Sequence, residues 1–199
     1  GIATASTALP LTMVLCDYLL YYPSIDDSNL DEQIMDNTVT LPRYTDGEGV
    51  QAIAVSVAGR TGGASFYFTY TNSEGVSGRV SKTVTENSAA ALGTIVTAAT
   101  ATDGGGGPFI GLQDGDTGIR SIDSVVMLSA DVGLFTLILV KPLGTSVIRE
   151  ITAPAEKDYF LESGTIPRIY DDAYLSFLCL PQGTLAATAL MGDIKTIWT

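Results

Sequence analysis

Histidine is absent from the 199-residue chain, and its absence excludes a good deal of chemistry. Imidazole is the usual general base near neutral pH, a common metal ligand and the partner of Ser and Cys nucleophiles, so those devices have no ordinary form here. Cysteine is nearly as scarce. Cys16 and Cys179 cannot make a Cys-rich zinc site, and each lies in an apolar stretch, VLCDYLL and SFLCLPQ, which reads as a free buried thiol rather than half of a disulfide. That usage fits assembly in a reducing compartment. Basic residues are few as well. Ten Lys and Arg stand against 22 Asp and Glu, a formal net charge of −12, and the ten are scattered without a patch. Such a surface repels phosphate, which excludes nucleic acid as the main partner. No apolar run reaches the roughly 18 residues of a membrane-spanning helix, so no membrane partner is expected. The opening GIATASTALP has no Lys or Arg and does not read as a signal peptide.

What is present points to β-structure. Apolar residues make up 46% of the chain and charged ones only 16%, so part of the surface is expected to be buried against copies of the chain or a partner. Ile119 to Leu143 reads as a central hairpin, with Ile122, Ser124, Val126 and Leu128 alternating with their neighbours, and LFTLILV apolar throughout. The second run should have both faces covered, and Pro142 should end it. LTMVLCDYLLYY fits helical and strand spacing alike and is read as a strand stopping at Pro23, followed by an acidic loop. TVTLP, Val50 to Ala58 with Ile53, Val55 and Val57 on one face, GTIVTA, PFIGLQ, Val147 to Thr152 and YLSFLCLP read as further strands. The clearest hairpin sets Phe66, Phe68 and Tyr70 against Tyr67, Thr69 and Thr71 before the Asn72 to Gly75 turn. Short strands with Gly and Asp turns predict an all-β, antiparallel, jelly-roll-like β-sandwich. Residues 1–23 would form an N-terminal arm and first apolar segment, and residues 24–199 a single sandwich domain.

Chemistry is harder to find. Asp114, Asp116 and Thr117 in QDGDTG offer oxygens to calcium, but the EF-hand pattern and its closing Glu are missing, and Asp and Gly suit a tight turn. Asp46 with Glu48, and Asp171 with Asp172, read the same way. Paired carboxylates can run glycoside hydrolysis across a cleft, yet nothing selects one pair among the acids. Gly104 to Gly107 is no P-loop, because PFIG follows where Gly-Lys-Ser should stand. Tyr67 is the candidate for an outward ring on its strand, and Trp198 for a terminus docked in the core or into a neighbour.

Several phrases together, LCDYLLYYPSID, TLPRYTDGEGVQ, YTNSEGVSGRV, PFIGLQDGDTGIRSIDSV, LVKPL, PRIYDDAYLSFLCLPQG and GDIKTIW, resemble a group of tailed-bacteriophage virion proteins encoded among head genes. The likeness runs from about Leu15 to Trp198. It implies a particle component and transfers no catalytic residue; neither an enzyme nor a cofactor is expected. The leading expectation is a capsid decoration or cement protein on the phage head, assembled in the host cytoplasm. It would bind the major capsid protein as a homo-oligomer, a trimer above all. Partner contacts are expected at Leu9, Pro10, Gly104, Gly105, Gly106, Gly107, Ile197, Trp198 and Thr199. The alternatives are a glycan- or host-surface-binding module with Tyr67 or Tyr170 in a groove, a tail or connector component, and a cell-wall glycan hydrolase.

Overall fold

A computed structural model describes residues 2–4, 9–87, 91–96, 107–150, 153–163, 166–182 and 190–197. The chain forms two compact units, Gly1–Asp17 with Pro142–Thr199, and Tyr18–Lys141. In chain order the strands are β1 (Ile2–Thr4), β2 (Leu11–Asp26), β3 (Gln33–Ile34), β4 (Gln51–Ala58), β5 (Ser65–Asn72), β6 (Arg79–Val80), β7 (Val84–Thr85), β8 (Ile119–Met127) and β9 (Leu134–Ile148). A five-residue helix, α1 (Tyr159–Ser163), precedes β10 (Leu175–Pro181) and β11 (Leu190–Gly192). The fold is all-β, antiparallel and sandwich-like, as the turn-punctuated short runs predict.

In the unit Tyr18–Lys141 two sheets face each other. One has the order β2-β9-β4; the other has β3-β8-β5-β6, with β7 also on β5. Period-2 alternation decides which side chains meet between them. Phe66, Phe68 and Tyr70 of β5 with Ile122, Val125 and Met127 of β8 pack on Leu19, Tyr22 and Ile25 of β2 and Phe135, Leu137 and Leu139 of β9. Tyr22 also ties the layers by hydrogen bonding, its hydroxyl accepting the Ile122 N–H at 3.1 Å. The outer edge of β4 is covered by coil: Ser56 N–H donates to Thr94 O, and the Val96 and Ile110 N–H groups donate to Ala54 O and Ala52 O. An edge so covered offers no template for a stray strand.

The other unit has its own small core of Leu11, Met13 and Ile148, with Leu9, Ala155, Phe177 and Cys179 against it. Here β10 pairs antiparallel with β2 from Leu175 opposite Asp17 to Pro181 opposite Leu11, and β1 pairs with β11. Helix α1 starts at the Asp158 carboxylate, which accepts the Phe160 and Leu161 N–H groups at 2.9 and 3.1 Å, an N-cap contact. The cysteines stay free. Cys179 lies opposite Met13 and Cys16 opposite Ser176, about 10 Å apart along the ladder, beyond the reach of a disulfide. Burial pushes the Cys16 thiol up to about 12.

Several expected elements differ. Strands β8 and β9 are not a hairpin: β8 pairs with β5 and β3, β9 with β2 and β4, so residues 128–133 cross from one sheet to the other. Local alternation cannot distinguish these two solutions, because either covers both faces of LFTLILV. Pro23 and Pro142 do not end their strands; β2 runs to Asp26, and β9 runs to Ile148, taking in Val147 and Ile148 from the start of the segment expected as a separate strand. Each proline follows the point where one neighbour stops, since β10 reaches β2 only to Asp17 and β4 reaches β9 only to Val140. A missing donor is tolerated on an unpaired flank. Of GTIVTA, the described residues 93–96 make a bridge from Ile95 to Val55, and TVTLP and PFIGLQ form no strand. In β4 the core side carries Ala52, Ala54 and Ser56, whereas Val57 is 46% exposed. Small residues belong inside because the opposing layer fills the space with aromatic rings. Ala54→Leu should therefore lower the unfolding free energy by about 1–3 kcal/mol in urea titrations, whereas Val57→Thr should change it by under about 0.5 kcal/mol.

Candidate functional site

The residues singled out for partner contact do not form one site. Leu9 packs partly buried on the Leu11, Met13 and Ile148 cluster, Pro10 is exposed, Gly107 is exposed with φ 145°, and Ile197 is 77% exposed. Gly104, Gly105, Gly106, Trp198 and Thr199 lie outside the described residues. Tyr67 is half-buried, and the Arg168 guanidinium sits 4.6 Å from the Tyr170 ring centroid, over a face that a sugar would otherwise stack on. A cavity lined by Lys82, Val84, Val96, Phe109 and Ile110 has room for about one water molecule. Among the described residues no three Cys, Asp or Glu side chains gather as a metal site, and no helix is long and apolar enough to cross a membrane.

Two polar clusters in the unit Tyr18–Lys141 are more informative. The first gives QDGDTG its role. The Asp116 carboxylate accepts three hydrogen bonds, from the Tyr70 hydroxyl at 2.6 Å, Asn72 Nδ2 at 2.8 Å and Arg79 Nε at 2.9 Å. The Tyr70 hydroxyl in turn accepts the Gln113 N–H at 2.9 Å. The hydrogen bond from Arg79 dominates over burial in holding the Asp116 carboxyl well below its usual range, at about 2. Its oxygens are thus committed to protein donors rather than to calcium. The neighbouring Asp114 points outward and pairs with Lys82 at 2.8 Å. Spacing alone marks this sequence as a turn; only the fold shows it pinned to β5.

The second cluster is missed by any short-motif reading, because its members come from four connections. Asp27 follows β2, Arg60 follows β4, Glu86 follows β7, and Asp131 lies between β8 and β9. Asp27 is fully buried, and Arg60 and Glu86 are 3% exposed. Arg60 Nη1 touches Glu86 Oε2, and Nη2 lies 3.6 Å from Asp27 Oδ2. These are ion contacts without hydrogen-bond alignment. Both carboxylates and all three guanidinium nitrogens have buried atoms lacking a hydrogen-bond partner in the protein. Arg60 also lies 6.0 Å from the centroid of the core ring Phe135. Two buried anions therefore share one cation. Burial raises the Glu86 carboxyl to about 7, the Asp27 charge adding to the shift and Arg60 opposing it. Asp27 is raised for the same first reason, against the pull of Arg60.

Close backbone approach makes this arrangement possible. A Cβ on Gly133, at φ 152°, would lie 2.5 Å from Asp27 Oδ2, and one on Gly63 would lie 2.6 Å from Glu86 O. Asp131 holds the next turn, accepting the Gly62 N–H at 2.7 Å and the Thr61 hydroxyl at 3.1 Å. A residue pattern that could have revealed the cluster exists only weakly: lone charges beside glycines, in GRTGG and ADVG, at the ends of apolar runs.

For the first cluster the sign of the pH dependence follows from a depressed carboxyl. Its stabilisation is complete above the unfolded value of 3.8 and is lost as pH falls through about 2. Asp116→Asn should cost about 1–3 kcal/mol at pH 7, leaving Arg79 and the buried Tyr70 poorly paired, and the gap from wild type should close below about pH 2 in chemical denaturation. No protein-family model, no curated protein and no solved structure gives a significant match to this chain.

Proposed function

We propose that this chain is a structural component of a tailed-bacteriophage particle, a decoration or cement protein on the outside of the head. It acts by burying apolar surface between copies of itself and the major capsid protein, as a small cyclic oligomer with a trimer favoured. The observation that carries this reading is the surface of the unit containing α1. Phe160 and Leu161, adjacent on a five-residue helix, are 66% and 78% exposed, and Ile166, Tyr174, Met191 and Ile197 are exposed in the same unit. Large apolar side chains left in water at this density favour a partner surface. The phrases resembling head-gene virion proteins supply the kind of partner, and a net charge of −12 suits a basic patch on it.

The test is binding of purified protein to empty heads that lack it, with solution mass measured alongside. Saturable binding at a fixed ratio to capsid subunits supports the reading; a folded oligomer that ignores heads overturns it and directs attention to tail parts and glycans. Phe160→Ser with Leu161→Ser should weaken head binding at least about tenfold, equivalent to about 1.4 kcal/mol, while the unfolding midpoint stays put.

A further inference from the structure

We propose that Asp27, Arg60 and Glu86 form a proton-operated latch: it holds the connections after β2, β4 and β7 and the β8–β9 crossing together while Glu86 is protonated, and loosens them when Glu86 ionises. The proposal stands on composition and placement. Three chain connections meet at one buried guanidinium, the β8–β9 crossing is tied to them through Asp131 and Gly133, and the two buried carboxylates facing the guanidinium exceed its charge by one. The charges acting on Glu86 are Asp27 and, behind it, Asp26 from the end of β2; Arg60 from the β4–β5 connection, which lies over the uncharged Phe135 ring from β9; and Asp131 from the β8–β9 crossing. Arg60 is the cation among these groups. With Glu86 neutral the pair Asp27–Arg60 is balanced; with Glu86 ionised the cluster carries a surplus negative charge out of water.

Asp131 is not the switching group. Burial raises its carboxyl, but the Val132 and Gly62 N–H groups and the Thr61 hydroxyl outweigh that effect, so it stays ionised and contributes constant negative charge. Glu86 is raised from an unfolded value of 4.5 to about 7. A raised carboxyl stabilises the closed arrangement fully below pH 4.5, and that stabilisation is lost as pH climbs through about 7. The latch is therefore closed in mild acid and released in mild base. The backbone contacts that report it are local: Glu86 N–H to Ala64 O at 2.8 Å, Asp131 N–H to Asp27 O at 2.9 Å, and Asp27 N–H to Gly133 O at 3.2 Å. Release lifts Arg60 from the Phe135 ring and wets one end of the core.

Hydrogen exchange of the full chain, read by NMR from pH 5 to 8.5 and corrected for intrinsic rates, tests this. Protection of the Asp27, Glu86 and Asp131 amides should fall at least tenfold across the range. In Glu86→Gln the fall should vanish. Flat protection in wild type, or an unchanged fall in Glu86→Gln, overturns the latch. Should that variant fail to fold, titration of the Glu86 side-chain carbon in wild type decides the matter: a midpoint near 4.5 overturns the proposal, and one near 7 upholds it.

Discussion

The packing of the Phe66 ring on the Phe135 ring, centroids 4.6 Å apart and tilted by 37°, is the contact that the rest of the sandwich accommodates. It joins β5 of one sheet to β9 of the other, and a ring pair of that bulk sets how closely the layers approach. Ala52 and Ala54 on β4 follow from it, since larger side chains there would compete for the same volume. The crossing of residues 128–133 follows too: with β8 beside β5 and β9 in the opposite sheet, the rings face one another across the core rather than along one sheet.

The same packing explains where charge is tolerated. Arg60 lies over Phe135 of the ring pair while two carboxylates approach from other connections. Gly62 and Gly133 bring backbone close to the Asp131 and Asp27 carboxylates, and Gly63 brings it close to the Glu86 carbonyl. The molecule thus holds Asp116 and Glu86 in contrasting settings. Asp116 is satisfied by three donors and its charge stabilises a turn. Glu86 shares a single cation with Asp27 in dry surroundings, and its charge is a liability.

The unit with α1 obeys a different constraint. Its described core is small, Leu11, Met13 and Ile148 with a few partly buried neighbours, and β10 is only half-buried along its length although every residue but Ser176 is apolar or proline. A segment so apolar and so little covered by its own chain favours coverage by another. This is the physical basis for reading the protein as a component of an assembly, and it accords with the kind of protein its phrases resemble.

Composition and local pattern were enough to determine the all-β class, the inward set Phe66, Phe68 and Tyr70, and the absence of histidine chemistry. Those properties depend on period-2 alternation, turn residues and which side chains exist at all, and each is expressed within a few residues. Sheet membership of β8 and β9, the inward face of β4, the continuation of two strands through Pro23 and Pro142, and the Asp27–Arg60–Glu86 cluster were decided only by tertiary structure. Each turns on which distant segment lies alongside, and neighbours in sequence carry almost no record of that. A proline is permissible when one flank of its strand is empty, and a buried charge when another connection brings its counterion.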